Sequence, residues 1–271
     1  MTQKKNQKIV VLLSLTPFDK ILILNGIKIA FIFQKELCLC YNYSKKQKKN
    51  HPLFKARLDE YTNPLKNEIP GLEVSTLLLS ERVKNLPEKL SDNWEAIFLI
   101  AGKFEFKKYS HAVTESPVPF LFVDEQHETV SEYKRLVLPV DLRKENSDSA
   151  LWSSYFGRFN QTLIVVVAAN DKNRENIKQV TRNVFLTKKL FQKFQLQHKI
   201  FKGQKNSLAI ADEALKLALA SDFDFLTVLG SSTITPLDLL VGLPEKKIVR
   251  NSGKLPVLII NPRRDNYILC D

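Results

Sequence analysis

Strand-like and helix-like segments alternate along the whole chain, and this alternation limits its fold more than any other feature. Continuous apolar runs such as Thr162 to Ala169, TLIVVVAA, are typical of strands that are covered on both faces. Amphipathic segments such as Ser207 to Ser221, SLAIADEALKLALAS, place apolar residues at helical spacing. Strict alternation predicts an α/β fold in which parallel sheets carry helices on both faces through right-handed crossovers.

The same order of segments occurs twice, which predicts two domains. Each half contains five predicted strands, and a glycine ends the fourth strand in both, at Gly102 and at Gly230. In the first half the fourth connection is short, so we expect a stunted helix there at best. The boundary falls near residues 128–133. We therefore predict domains at 1–130 and 131–271, each a three-layer α/β/α unit with a five-stranded, mostly parallel sheet.

The net charge is +12, from 41 basic and 29 acidic residues, and both halves of the chain share the excess. The one dense run that stands out is Ser44 to Asn50, which is typical of a solvated loop. A basic excess can mark a nucleic-acid-binding protein, but no motif that reads RNA or DNA accompanies it. We therefore do not expect nucleic acid as a partner.

The cysteines and histidines form no pattern typical of a disulfide scaffold or a metal site. The three cysteines, Cys38, Cys40 and Cys270, are few and odd in number. The C-x-C pair lies in a strand-like run and has no further ligands nearby, so we expect it to pack in a core. The four histidines are scattered, and no G-x-S-x-G motif suggests a nucleophile. We predict no metal.

The N-terminal segment MTQKKNQKIVVLLSL resembles a signal peptide in its lysines and apolar run, but no small-residue cleavage site follows it. It also fits a buried strand that leads into a helix, with Thr16 as the N-cap and Pro17 at the first helical position. Charged residues interrupt the apolar run before it reaches about 18 residues. We expect no membrane span and a cytoplasmic protein.

Two stretches of the second half lie where a parallel sheet binds ligands, at the carboxyl ends of its strands. Asp141 ends the first strand, where a carboxylate accepts hydrogen bonds from a ribose or a base. A helix N-terminal acid or a solvated turn residue fits this position equally well. The fourth strand leads into Gly230-Ser231-Ser232-Thr233, whose glycine, hydroxyls and N–H groups suit a phosphate, although an ordinary turn explains them slightly better.

A third stretch, Gly242-Leu243-Pro244, interrupts a helical pattern. A helix that begins at Pro244 would aim its N-terminus at the crevice and attract an anion. However, Leu243 offers no hydroxyl and Pro244 no N–H, so two donors of a phosphate site are missing. The chain contains no Walker loop.

Two segments resemble the universal stress protein family in its tandem form: LVLPVDL, which ends with Asp141 and Leu142, and the block from Phe223 to Pro262. The resemblance implies two domains like those of the adenine nucleotide alpha hydrolases, paired within one chain as a pseudo-dimer, and it allows a homodimer. It also implies a crevice for ATP or another adenine nucleotide in the second domain. The residues of that crevice are Pro139, Asp141, Ala168, Leu229, Gly230, Ser231, Ser232, Thr233 and Gly242.

The chain departs from the family pattern at both sites. The glycine-rich turn after the fourth strand lacks its second glycine, and Leu243 stands where the family has serine or threonine. The first half has Ser14 and Leu15 where the aspartate would be. We therefore predict a degenerate first site and a partly retained second one.

Three functions remain open. The leading hypothesis is a non-enzymatic tandem universal stress protein with a stress-associated regulatory or ligand-sensing role and weak adenine nucleotide binding. The alternative is an ATP-hydrolysing member of the adenine nucleotide hydrolase superfamily, which needs a general base or metal-holding carboxylates; only Asp141 qualifies. The third is a basic scaffold that binds protein or nucleic acid.

Overall fold

The computed structural model describes residues 6–231 and 244–261. The chain divides into two compact units, of which the second begins at Ser131. In each unit strands and helices alternate and the strands pair in parallel, so the predicted α/β fold class is confirmed. Among the described residues, no helix combines the length and the apolarity that crossing a membrane requires.

The first unit contains a parallel sheet of five strands in the order β3-β2-β1-β4-β5. The central strands are apolar runs that are buried on both faces. Every residue of the fourth strand, AIFLIAG, is buried. The elements are β1 (Lys8–Leu12), α1 (Asp19–Phe33), β2 (Glu36–Asn42), α2 (His51–Glu68), β3 (Val74–Leu79), α3 (Leu86–Trp94), β4 (Ala96–Gly102), α4 (Phe106–Thr114) and β5 (Phe120–Val123).

The second unit has the equivalent order, β8-β7-β6-β9-β10, again with parallel pairing. In both units the second and third strands lie on one side of the first strand, and the fourth and fifth strands lie on its other side. The switch points therefore lie between β1 and β4 and between β6 and β9. The elements are β6 (Arg135–Val140), α5 (Asn146–Asn160), β7 (Leu163–Ala168), α6 (Arg174–Lys193), β8 (His198–Lys202), α7 (Ile210–Ala220), β9 (Phe225–Leu229), α8 (Pro244–Asn251) and β10 (Val257–Ile260).

Two expectations about the first unit are wrong in detail. Helix α1 begins at Asp19, so Thr16 is not its N-cap; the carboxylate of Asp19 instead accepts a hydrogen bond from the Thr16 N–H at 3.1 Å. The fourth connection is a nine-residue helix rather than a stunted one. The aromatic ring of Phe106, the first residue of this helix, packs on the ring of Phe122 in β5, with 4.9 Å between the ring centroids. This contact anchors the short helix to the core.

Candidate functional site at the switch point of the second unit

The structure places several predicted site residues at the carboxyl ends of β6, β7 and β9. Asp141 directly follows β6 and is 6% exposed, and Gly230 follows β9 after Leu229. Pro139 is buried in β6 beside Val167 of β7, one residue before Ala168. Ser231 is half-buried, and the predicted residues Ser232, Thr233 and Gly242 lie outside the described residues.

A side chain that the sequence analysis did not select, Arg143, joins the two sides of this switch point. Its Nε donates to Oδ2 of Asp141 at 2.8 Å, and its Nη2 lies 2.6 Å from the same oxygen. Its Nη1 donates to the carbonyl oxygens of Leu229 at 3.3 Å and of Gly230 at 3.1 Å. The guanidinium therefore occupies the space between the ends of β6 and β9, where an arginine fork matches a carboxylate well.

Neighbouring helices hold the Asp141 loop in this conformation. The Oδ1 atom of Asp141 accepts from the Arg143 N–H at 2.8 Å and from Nδ2 of Asn146, at the start of α5, also at 2.8 Å. From α6, Nδ2 of Asn183 donates to the backbone carbonyls of Asp141 at 2.9 Å and Arg143 at 2.8 Å, while Gln179 fixes the amide of Asn183. Both carboxylate oxygens thus already accept hydrogen bonds, and the loop is pre-organised by its supports.

The other end of the crevice carries a second acid. Glu245 lies in the first turn of α8 and is 4% exposed, and its Oε2 has no hydrogen-bond partner among the residues that the structure describes. Its Oε1 would lie 3.8 Å from a Cβ built on Gly230, so the carboxylate is beside the end of β9. A carboxylate in the first turn interacts favourably with the positive end of the helix dipole, where an anionic ligand would otherwise bind. It also opposes any phosphate that approaches Gly230.

The corresponding crevice of the first unit is filled by the chain's own acids. Asp19 is fully buried, and its carboxylate accepts from the N–H and Oγ of Ser14, both at 3.0 Å. Burial raises the pKa of Asp19 above its usual value against these hydrogen bonds. After β5, Glu125 packs on Gly102 and accepts from the Phe104 N–H at 3.2 Å.

A lysine with altered basicity follows Gly102 in the same crevice. Burial lowers the pKa of Lys103 to about 8, although the carboxylates of Asp124 and Glu125 oppose this shift. Within residues 6–231 and 244–261 no three histidine, cysteine or acidic side chains come together as a metal would require. The predicted Cys38 and Cys40 are buried in β2 as free thiols.

Two units with parallel sheets of order 3-2-1-4-5, and a polar loop across the switch point, define a protein of the doubly wound α/β class. Within this class, solved structures show that the fold is that of the universal stress proteins. No protein-family model matches the sequence, and no curated protein matches it.

A universal stress protein from Archaeoglobus fulgidus DSM 4304 superposes with a TM-score of 0.65 at 11% identity, over 95% of this chain and 97% of that one. A functionally unknown protein from Pseudomonas aeruginosa PAO1 gives 0.61 at 15% identity, over 96% and 94% of the two chains. A protein from Pseudomonas aeruginosa UCBPP-PA14, provisionally named a universal stress protein, gives 0.61 at 14% identity, over 94% and 93%. The resemblance drawn from the sequence is therefore confirmed at the level of the fold.

Proposed function

We propose that the protein acts as a tandem universal stress protein without catalytic activity, in a stress-associated regulatory or ligand-sensing role. The position of Arg143 carries this proposal, because its guanidinium joins Asp141 to the carbonyl oxygen of Gly230. A side chain of the protein thus takes the place that a ribose or base would occupy. A ligand must displace it, so binding is weak and is coupled to the position of Arg143.

An adenine nucleotide or nucleoside is the ligand class that fits this crevice best. Once Arg143 moves away, the Asp141 carboxylate can accept hydrogen bonds from ribose hydroxyls or an exocyclic amine. Phosphates gain less, because they approach Glu245. Two like unit charges about 5 Å apart repel by roughly 3 kcal/mol at an effective dielectric constant of about 20. We therefore expect ATP to bind no better than adenosine.

The alternative, ATP hydrolysis, finds less support in the geometry. Hydrolysis needs a general base or metal-holding carboxylates beside the phosphates. Asp141 is the acid that the sequence analysis offered for this role, and both of its oxygens already accept hydrogen bonds from Arg143 and Asn146. The second acid of the crevice, Glu245, repels the phosphates that it would have to serve. Pairing of the two units within the chain, homodimer formation and a cytoplasmic location belong to the same proposal as predictions.

The thermal midpoint of unfolding in the presence of nucleotide tests weak binding. At a ligand concentration 1,000 times Kd, binding adds about 4 kcal/mol to the free energy of unfolding. For a chain of this size that corresponds to a rise of roughly 8–16 °C. We expect a rise of less than about 2 °C in 1 mM ATP or adenosine, which corresponds to a millimolar Kd. A rise near 10 °C would imply micromolar affinity and would contradict the proposal.

Phosphate release from ATP and Mg²⁺ separates binding from hydrolysis. We expect the wild-type protein and an Asp141→Ala variant to release phosphate at the same background rate. Steady release by the wild type that the variant loses would establish the hydrolase instead.

A further inference from the structure

The second unit has an open groove next to the Asp141 crevice, with which it shares Ala168 at the end of β7. It lies between helix α6 and strand β8 and encloses about 300 Å³. Apolar side chains make most of its walls, with Ile177, Val180 and Val184 on the helix and Ile200 and Phe201 on the strand. Its volume lies at the small end of the range for ligand sites, roughly 300–1,000 Å³. Phe201 is 52% exposed, so the groove presents apolar surface to solvent.

Strand β8 ends the sheet on this side, with β7 as its neighbour among the described strands. The ladder is fixed by the bond from the Ile164 N–H to Gln197 O at 3.0 Å and from the Gly203 N–H to Ala168 O at 2.8 Å. The backbone N–H and C=O groups of successive residues in a parallel strand point alternately to its two sides. In β8 those of the odd-numbered residues therefore point toward β7, and those of Ile200 point away from it. This edge can accept another strand.

The segment that supplies the helix and the edge strand of the groove is strongly basic. Residues 171–205 contain ten lysines and arginines and two acids, a net +8 within a chain of +12. All ten basic side chains are exposed. The two acids are already engaged, Glu175 with Lys178 and Asp171 with Ser207. This helix-strand segment of the second unit, α6 with β8, therefore carries a dense positive charge, although each half of the chain also has a basic excess of its own.

We propose that this groove binds an extended acidic peptide segment of a partner protein, which adds to the edge of β8 as a further strand. The edge supplies main-chain hydrogen bonds, the groove accepts alternate apolar side chains, and the lysines attract the acidic ones; this is the general mode of strand addition. Nucleic acid would satisfy the lysines but would use neither the apolar groove nor the outward amides of β8. This partner goes beyond the proposed function, because the edge of β8 with Lys199 and Lys202 is not among the residues assigned to the nucleotide crevice.

Fluorescence polarisation with an array of labelled ten-residue peptides tests the proposal. The peptides alternate Glu or Asp with Leu, Ile, Val or Phe, and a matched array carries proline at every second apolar position so that it cannot pair as a strand. We expect members of the first array to bind in low salt and to weaken as salt rises. No member binding, or equal binding of the proline array, would overturn strand addition.

Two variants of the full chain locate the binding surface. The double charge reversal Lys199→Glu and Lys202→Glu should weaken peptide binding at least tenfold. The control reversal Lys45→Glu and Lys48→Glu, on an exposed turn of the first unit, changes the net charge equally and should leave binding within twofold. If both pairs weaken binding alike, the attraction is general and the groove is not the site.

A third variant tests the role of the strand edge itself. Ile200→Pro removes the N–H that points away from β7 and leaves the ladder bonds intact, a substitution that edge strands tolerate. We expect at least a tenfold loss of peptide binding with an unchanged circular dichroism spectrum. Should Ile200→Pro unfold the unit, the charge-reversal pair still decides the question. Tighter binding of poly(U) RNA or of phosphatidylserine vesicles than of any peptide, with the same dependence on Lys199 and Lys202, would replace the peptide by that partner.

Discussion

The substitution Arg143→Ala should strengthen nucleoside binding while it weakens the fold. In the wild type, Arg143 donates to Asp141 and to two carbonyl oxygens, with distances of 2.6–3.3 Å. A hydrogen bond that involves a charged group contributes about 1.5–3 kcal/mol when it is desolvated. The Arg143 side chain is 39% exposed, so water replaces part of what it loses. We therefore estimate that displacing it costs a ligand about 1–2 kcal/mol.

Removing this side chain removes that cost. Since 1.4 kcal/mol is a factor of about ten, adenosine should bind to Arg143→Ala roughly 5–30 times more tightly than to the wild type. Adenosine is the appropriate probe, because loss of the arginine charge would also change the attraction of phosphates. Isothermal titration calorimetry at the same protein concentration measures both affinities.

The same substitution leaves Asp141 without its cation. The carboxylate keeps the bonds from the residue 143 backbone N–H and from Asn146, so we expect a loss of about 1–2 kcal/mol in the free energy of unfolding, or roughly 2–8 °C in Tm. Arg135→Ala is the matched control, since Arg135 forms an exposed ion pair with Asp222 at the opposite end of β6. It should change neither quantity appreciably. A folded Arg143→Ala protein that binds adenosine no better than the wild type would refute the view that Arg143 closes the crevice.

Two further predictions concern the cores. A Cβ at Gly26 in α1 would overlap side chains of the sheet, so Gly26→Ala should lower the free energy of unfolding by about 1–2 kcal/mol despite the better helix propensity of alanine. The control Gly157→Ala in α5, where the nearest atom to the new Cβ would be 3.0 Å away, should leave the stability nearly unchanged. Chemical denaturation compares the two, and equal stabilities would show that α1 is not tightly packed. Burial raises the pKa of the Cys38 thiol to about 12 and that of Cys40 well above its usual value, so in a Cys270→Ser variant neither thiol should react with a disulfide reagent at pH 8 until the protein unfolds. Rapid native labelling would contradict the buried β2.

The fold was predictable because its signals are local and repeated. Apolar runs such as that of β7 and amphipathic helices such as α7 can be recognised from a few residues, and their alternation admits few sheet topologies. Where the prediction of the N-cap failed, one local preference met a stronger local one. Thr16 is a good N-cap residue, but the buried carboxylate of Asp19 accepts from the Ser14 and Thr16 N–H groups, and the helix begins at Asp19 instead.

The candidate site was predictable only in part. Asp141 and Gly230 follow strands, and the carboxyl end of a strand is a position that sequence patterns locate well. Arg143 follows Asp141 by two residues, and that spacing was a signal that could have been used. Its contact with Gly230, however, joins residues that are far apart in the chain. Glu245 was not predicted as a site residue, because only the fold brings it beside the end of β9.

The sequence by itself determined the order of strands and helices, the division into two units and the places where strands end, since each depends on the polarity and conformational preference of neighbouring residues. The tertiary structure alone decided what fills those places. Acids and an arginine of the chain lie in the two crevices, and a basic helix-strand segment forms an open groove beside β8. These arrangements depend on which distant side chains the sheet order brings within a few ångströms of each other, and no local pattern encodes that distance.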